Sequence, residues 1–347
     1  MVEKKGWSAI SQMLNSARRR PDGAGAAIPG EPARAPELRE EPIASELKIT
    51  PRHPSAPRPA PLEVERADGD GHYLEVWSGG PPPGYLGQLD PEFQRQLADR
   101  WADVGLEDCY FYHCVRLRDG SFIDGPWDLL DNELEYLGGI DVAGRKVLEF
   151  GPANGWVTHW MADQGADVVV LDVGWDLLPD LIPLRAFDLE TMHEEQAYFC
   201  ASVVNAWWYL RRDWGHTARA VYAPIYDLPP DLGRYDIAIF GCILLHLRDP
   251  FRALEQAAAF IDATVVVVEP LSVPVADVDR HVMYWNPTRS TNPNGWWQIS
   301  PAVVVDMLEV LGFPNATVTY NRQLYRPEGS GSDPGEVTMC TVVARRS

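Results

Sequence analysis

From residue 145 onward the chain alternates short apolar runs with longer segments of helical period. RKVLEF, DVVVLDV, ARAVYAPIYDL, YDIAIFGCILLHL and TVVVVEP read as five strands. WVTHWMADQG, AYFCASVVNAWWYLRRDWG and PFRALEQAAAFI read as helices between them, and PAVVVDMLEVLGF as one more, stopped by Gly312. Strand–helix alternation of this kind predicts a parallel α/β sheet. ATVTYNR and EVTMCTVVARR follow, joined by a Gly/Ser/Pro loop, and predict a late antiparallel hairpin. No internal repeat is visible.

Upstream the pattern is weaker. GYLGQLDPEFQRQLADRWADVGL predicts one or two short helices, with Asp90 as N-cap and Pro91 at the first helical position. CYFYHCVRL alternates like a strand and ends in a turn at Asp119-Gly120, and a helix is expected over Pro126–Leu137. Residues 63–140 therefore read as a lead-in that caps an active site, and residues 141–347 as the main domain. Residues 1–62 read as a disordered tail. Their Pro/Ala/Arg/Glu-rich stretches bury too little apolar area to offset chain ordering, although one short helix fits Trp7–Arg20.

Charge sharpens the picture. The net charge is −20, yet residues 1–62 hold ten Lys/Arg against seven Asp/Glu, or +3, which leaves −23 on the remainder. So acidic a domain repels phosphate backbones, and a nucleic-acid partner is disfavoured. No run approaches the roughly 18 apolar residues of a membrane helix. Lys4 and Lys5 are not followed by the apolar stretch of a secretory signal. The five cysteines form no CxxC, and their odd number suits reduced thiols in a cytoplasmic setting. No His/Cys/Asp cluster has metal-ligand spacing, so no metal is expected. The thirteen tryptophans fit a large aromatic core or an aromatic-lined pocket.

Two features carry chemistry together. In Val147-Leu148-Glu149-Phe150-Gly151-Pro152-Ala153-Asn154-Gly155 a strand runs through a glycine-punctuated turn into a helix. Glycines there let a ligand approach the backbone, and the helix start offers unpaired N–H groups. Asp172 ends the next strand, 21 residues after Gly151, where a carboxylate can accept both hydroxyls of a ribose. Either feature alone is an ordinary turn or cap. In this order they predict a nucleoside-cofactor site. A dinucleotide site wants G-x-G-x-x-G; this turn instead carries Glu149 two residues before its first glycine. A carboxylate there repels a pyrophosphate and suits an ammonium and a sulfonium, which favours S-adenosyl-L-methionine over NAD.

With VLEFGPANG, VVVLDVG and YDIAIFGCILLHLRDP in place, the sequence resembles the class I S-adenosylmethionine-dependent methyltransferases over about residues 105–345. That resemblance implies a Rossmann-like seven-stranded sheet with an antiparallel final strand. HCVRLRDGSFIDGPWDL, IYDL, LLHLRDP and NPNGWWQISPAVVVDMLEVLGF resemble more narrowly the branch of the tRNA wobble-uridine carboxymethyl transferases. Two departures favour the ordinary cofactor: Leu245 stands where that branch has a tyrosine before its histidine, and its cofactor-contacting lysine has no evident counterpart.

Carried over residue by residue, the resemblance implies that Glu149, Gly151, Asn154 and Gly155 shape the methionine and ribose end of the cofactor site. Asp172 would hold the ribose diol, with Val173 on one side of adenine and Ile225 and Tyr226 on the other. Gly241 and Cys242 would lie near the methionine amine, and His246 near the methyl group. His246 is either a general base or a hydrogen-bonded structural residue. Glu269 either caps a turn or contacts substrate. Trp296 and Trp297 either pack over the sheet edge or line an acceptor pocket with His281, Tyr284 and Trp285. The expected reaction is methyl transfer to an oxygen or nitrogen of a small-molecule or glycan acceptor. A tRNA transferase and a non-catalytic nucleoside-binding module are the alternatives.

Overall fold

The computed structural model describes residues 47–54, 56–63, 87–173, 180–184, 188–286, 294–326 and 333–347. The helix expected over Trp7–Arg20 lies outside them. A strap with β1 (Ile49–Thr50) comes first, then α1 (Pro91–Arg100). The lead-in holds β2 (Val115–Arg116), β3 (Phe122–Ile123), β4 (Trp127–Asp128) and the short α2 (Glu133–Tyr136). The main domain runs β5 (Lys146–Phe150), α3 (Trp156–Asp163), β6 (Asp167–Asp172), α4 (Leu189–Trp214), β7 (Arg219–Tyr222) and β8 (Tyr235–Gly241). It continues with α5 (Pro250–Ala258), β9 (Ile261–Pro270), β10 (Met283–Trp285), β11 (Trp297–Ile299), α6 (Pro301–Val310), β12 (Asn315–Tyr325) and β13 (Gly335–Arg345).

The central sheet has the order β12-β13-β9-β8-β5-β6-β7. β5 to β9 pair in parallel, whereas β13 runs antiparallel to both β9 and β12, so the reversed final strand is present. The strand order switches direction between β5 and β8. In an open α/β sheet the crevice for a ligand lies there, at the carboxyl ends of the strands.

The apolar runs follow from burial on both faces. Val147, Val168, Val170, Ile239 and Val266 pack under α3, α4 and the lead-in. Leu148, Phe150, Val169, Phe240 and Val267 pack under α5 and α6. Phe150 and Phe240 stack at 4.3 Å across neighbouring strands. Each such side chain contributes about 1.5–3 kcal/mol relative to exposure, so the sheet is what holds the strand tips in place. Tryptophans serve this core: Trp101 stacks on Trp208 at 5.3 Å, and Trp127, Trp156 and Trp207 are buried with them. Three helices begin with a capping side chain followed by proline. Asp90 accepts from the N–H groups of Glu92 and Phe93, Asp249 from Arg252, and Ser300 from Val303.

Three expectations are corrected. The helix expected over Pro126–Leu137 shrinks to Glu133–Tyr136, because Trp127 and Asp128 pair instead with Tyr325 and Leu324 of β12. CYFYHCVRL keeps only two strand residues. Cys109, Tyr110 and Phe111 are all buried, and the Tyr110 N–H donates to the Ser202 carbonyl on α4. The tail does not extend to residue 62, since the strap docks on the domain. Ile49 and Thr50 pair with Tyr320 and Asn321 at the open edge of β12, and the Leu62 N–H donates to the Phe122 carbonyl. Arg52 and Arg58 both donate to the Asp128 carboxylate, at 2.9 Å and 2.5 Å. Sheet pairing and a shared anion order a segment whose composition is poor in apolar residues.

Candidate functional site

The floor of the crevice is built from strand tips. β5 delivers Glu149 and then breaks at Gly151, where φ is +62°. A Cβ on Gly151 would meet Ile243 Cδ1 at 2.1 Å, and one on Gly155 would meet Trp207 at 2.5 Å. The left-handed backbone at both positions, and the Trp207 ring at Gly155, therefore favour glycine in addition to any ligand. Glu149 is 4% exposed and its Oε2 accepts the Thr158 hydroxyl at 2.5 Å. Burial pushes its carboxyl up to about 8, against that hydrogen bond and with the Asp172 charge adding to the rise. Asp172, at the tip of the adjacent β6, is likewise pushed up by burial, to about 7, and accepts the Val173 N–H at 2.7 Å. Two carboxyl groups on neighbouring strands, Glu149 buried and Asp172 half-buried, lack a cationic side-chain partner among the described residues acting on them. Such a pair suits a cationic, hydroxyl-bearing ligand.

The lead-in closes one side. Asn154 is fully buried, and its side-chain oxygen accepts the His113 N–H at 2.8 Å and the His113 Nδ1–H at 3.0 Å. Its amide thus pins the lead-in to the glycine turn. Trp156 donates to Glu133 Oε1 at 3.1 Å. Tyr136 ends α2 with its hydroxyl 3.8 Å from Cys242 Sγ, over the tip of β8. Neither Tyr136 nor His113 stands out in the sequence; only the fold brings them to the strand tips.

β8 ends at Gly241, and Cys242 takes a left-handed φ of +56°, uncommon for a residue with a Cβ. The chain then makes a 3-10 turn over Leu244–His246. Glu269 caps that turn: its Oε1 accepts the Leu244 N–H at 2.8 Å, and the side chain is 3% exposed. Burial raises its carboxyl to about 8 against three backbone N–H groups. Glu269 therefore takes the capping role, one of the two the sequence offered it. His246 Nδ1–H donates to the Asn294 carbonyl at 2.5 Å, which leaves Nε2 as the bare nitrogen. Burial lowers the imidazole's affinity for a proton.

The β10–β11 hairpin closes the other side. Trp296 donates its indole N–H to the Asp180 carbonyl at 2.7 Å and its backbone N–H to Leu245. Asp180 Oδ2 also accepts from the Tyr226 hydroxyl at 2.5 Å and from the Arg248 N–H at 3.0 Å. Asp180 thus ties together the loops after β6, β7 and β8. Tyr226 spends its hydroxyl on that junction, and Ile225 before it is half-buried. Trp297 donates to the Leu247 carbonyl at 3.1 Å, and Trp285 lies edge-on to Trp296 and Trp297 at 5.3 and 5.1 Å. Tyr284 donates its hydroxyl to Asp277 at 2.7 Å. His281 does not join the group: it is exposed and pairs with Asp306 on α6. Among the described residues no three His, Cys, Asp or Glu side chains could hold a metal ion, and all five cysteines are free thiols.

Comparison with known proteins gives the following. A family model described as "Methyltransferase domain" matches residues 127–313, more than half of the chain. No curated protein matches. Similar solved structures include magnesium protoporphyrin IX methyltransferase from Synechocystis PCC 6803 with bound SAM, 13% identical, covering 62% of this chain and 76% of that one at a TM-score of 0.36. Another is 1,6-didemethyltoxoflavin-N1-methyltransferase from Burkholderia thailandensis, 16% identical, covering 84% and 94% at a TM-score of 0.39. A third is a putative methyltransferase from Bacillus halodurans C-125, 11% identical, covering 62% and 98% at a TM-score of 0.40.

Proposed function

The chain belongs to the methyltransferase-domain family, and on that premise we propose that its strand-tip crevice binds S-adenosylmethionine and serves methyl transfer to an oxygen or nitrogen of a small-molecule or glycan acceptor. The observation that carries this reading is the pair of raised carboxyl groups, buried Glu149 and half-buried Asp172, on adjacent strand tips beside a glycine turn. In it, Glu149 takes the methionine amine, Asp172 the ribose hydroxyls, and Val173, Ile225 and the Tyr226 backbone flank adenine. Gly241 and Cys242 border the methionine end.

When bound, the cofactor supplies an already activated methyl group. The chain's own work is then alignment and exclusion of water. Trp296 and the Asp180 junction close the crevice on the acceptor side, and Trp297, Trp285 and Tyr284 offer an aromatic wall next to it. His246 holds its bare Nε2 in a fixed tautomer, which suits a base for an acceptor hydroxyl or ammonium proton. An acceptor that reaches the site already deprotonated needs no such base.

The narrower resemblance to tRNA carboxymethyl transferases has less support. A carboxylated sulfonium needs a cation or several donors beside its extra carboxylate. Among the described residues no lysine or arginine acts on Glu149, Asp172, Cys242 or Glu269.

S-adenosylhomocysteine at millimolar concentration is expected to raise the melting temperature, and NAD is not. Asp172→Ala is expected to weaken S-adenosylhomocysteine binding by roughly 1–3 kcal/mol, the scale of lost hydrogen bonds to a charged group. Calorimetric titration checks both, and unchanged affinity in the variant removes Asp172 from the ribose.

A further inference from the structure

We propose that the strap, residues 47–62, is a clasp on the cover of the crevice: it holds the N-terminal end of α2 down and thereby sets how fast a bound ligand leaves. The proposal rests on the cofactor reading above and gives a positioning role to a segment that is not itself part of the strand tips.

The two ends of α2 are held differently. At the C-terminal end the Glu135 carbonyl accepts the Asn321 amide at 3.2 Å and the Tyr136 carbonyl accepts the Thr341 hydroxyl at 2.9 Å, so β12 and β13 fix it. The N-terminal end goes to the strap. Asn132 is buried at the N-cap, where an asparagine ordinarily accepts an N–H of its own helix, and it makes no such bond. Its Oδ1 accepts the His53 backbone N–H at 2.7 Å instead, and its Nδ2 donates to the His53 carbonyl at 3.4 Å and to the Leu130 carbonyl at 3.1 Å. Beside it, Arg52 donates to the Leu130 carbonyl at 3.0 Å, and His53 Nε2 lies 2.7 Å from Glu135 Oε1.

Alone, this end has little to keep it in place. α2 has four residues, far fewer than a helix needs to stand by itself. Asp131, just before its N-cap, takes a left-handed φ of +66°, uncommon for a residue with a Cβ. The Asp131 Oδ2 accepts the Ala56 N–H at 3.3 Å and faces Arg116 at 3.5 Å, so the strap helps to hold that corner too.

The held end carries Glu133, whose Oε1 accepts the Trp156 indole N–H at 3.1 Å. Trp156 opens α3 directly after Gly155, so this bond ties the cover to the glycine turn. With the C-terminal end fixed on the sheet, release of the strap lets α2 pivot there and lift Glu133 off Trp156. A cover of this kind governs ligand exit through the fraction of time it stands open.

The test keeps the full chain and removes strap donors at exposed positions. His53→Pro deletes the N–H that Asn132 accepts, together with the imidazole; Ala56→Pro deletes the N–H that Asp131 accepts. In His53→Pro the dissociation rate of S-adenosylhomocysteine, followed by stopped-flow tryptophan fluorescence, is expected to rise about threefold to tenfold, the scale of one lost hydrogen bond. Amide exchange over residues 133–137 is expected to quicken by a similar factor, while β5 and β8 keep their wild-type protection. Ala56→Pro is expected to act in the same direction and less. An unchanged dissociation rate in both variants overturns the proposal, whatever the exchange at 133–137. Exchange that quickens equally in β5 and β8 overturns it as well, since that is a general loss of stability. Failure of the wild-type chain to bind S-adenosylhomocysteine overturns the cofactor reading instead, and exchange at 133–137 in the two variants then decides by itself whether the strap holds α2.

Discussion

Two covers flank the strand tips, and they are built on different principles. The lead-in is held by buried polar bonds: Asn154 on His113, Glu133 on Trp156, and the strap's two arginines on Asp128. The β10–β11 hairpin is held by indole N–H groups on loop carbonyls, and its outer aromatics reach solvent, with Trp285 47% exposed. A cover anchored through groups that cannot be left unpaired keeps one geometry, which suits the end that binds an invariant cofactor. A cover that leaves aromatic faces partly open suits the end that admits an acceptor.

The contrast breaks most readily at Asp128. This carboxylate is the shared anion for Arg52 and Arg58, and all three side chains are largely buried. Asp128→Ala leaves two guanidinium groups without it and is expected to cost about 3 kcal/mol or more. Deleting residues 1–62 is expected to lower the melting temperature as well, because it uncovers the outer edge of β12 and the same carboxylate. Chemical denaturation measures both. Losses below about 0.5 kcal/mol would mean that the strap only rests on a lead-in that stands by itself.

The difference between the covers also marks what the sequence could tell. The strands, their parallel run and the reversed last strand are legible because burial on both faces leaves runs such as VVVLDV and TVVVVEP. Glu149 and Asp172 are legible because a turn between strand and helix fixes their spacing. The lead-in is not. Trp127 and Asp128 pair with a strand nearly 200 residues away, and no local period records that register. The strap is ordered by Asp128 and by the β12 edge, which composition alone cannot show. Tyr136 reaches the site because Thr341 and Trp156 place it there. For Glu269 the sequence left capping and substrate contact open, and the turn after β8 decided for capping.

A pH series sharpens the contrast next, since the strongly raised carboxyls lie at the strand tips and not on the hairpin. Burial lifts Glu149 from 4.5 to about 8, Glu269 from 4.5 to about 8 and Asp172 from 3.8 to about 7. Between the ordinary and raised values the folded chain keeps protons that the unfolded chain has released. Their contribution is fully present below the ordinary value and is lost as pH rises through the window to the raised one. The ligand-free protein is therefore expected to melt at progressively lower temperature from about pH 5 to about pH 8, and Glu149→Gln to show a shallower slope. S-adenosylhomocysteine binding is expected to strengthen over the same range, as Glu149 becomes the carboxylate that receives an amine. A flat melting profile, or a slope untouched in Glu149→Gln, would place the ionised forms in better-solvated surroundings.

The smallest effect, expected at Trp285, tests the second cover against a buried reference, Trp296. Trp285 packs edge-on against Trp296 and Trp297 with about half of its surface in solvent, whereas Trp296 is buried against Asp180 and Leu245. Truncating a buried tryptophan costs about 3–5 kcal/mol, and an exposed face contributes little of that. Trp296→Ala is expected to destabilise on that scale. Trp285→Ala is expected to cost under about 1 kcal/mol and to leave S-adenosylhomocysteine affinity within about twofold of wild type. Denaturant melts and titration calorimetry separate the two. Comparable losses in both variants would make the whole hairpin part of the core, and the division between a fixed donor side and an open acceptor side would have to be redrawn inside the crevice.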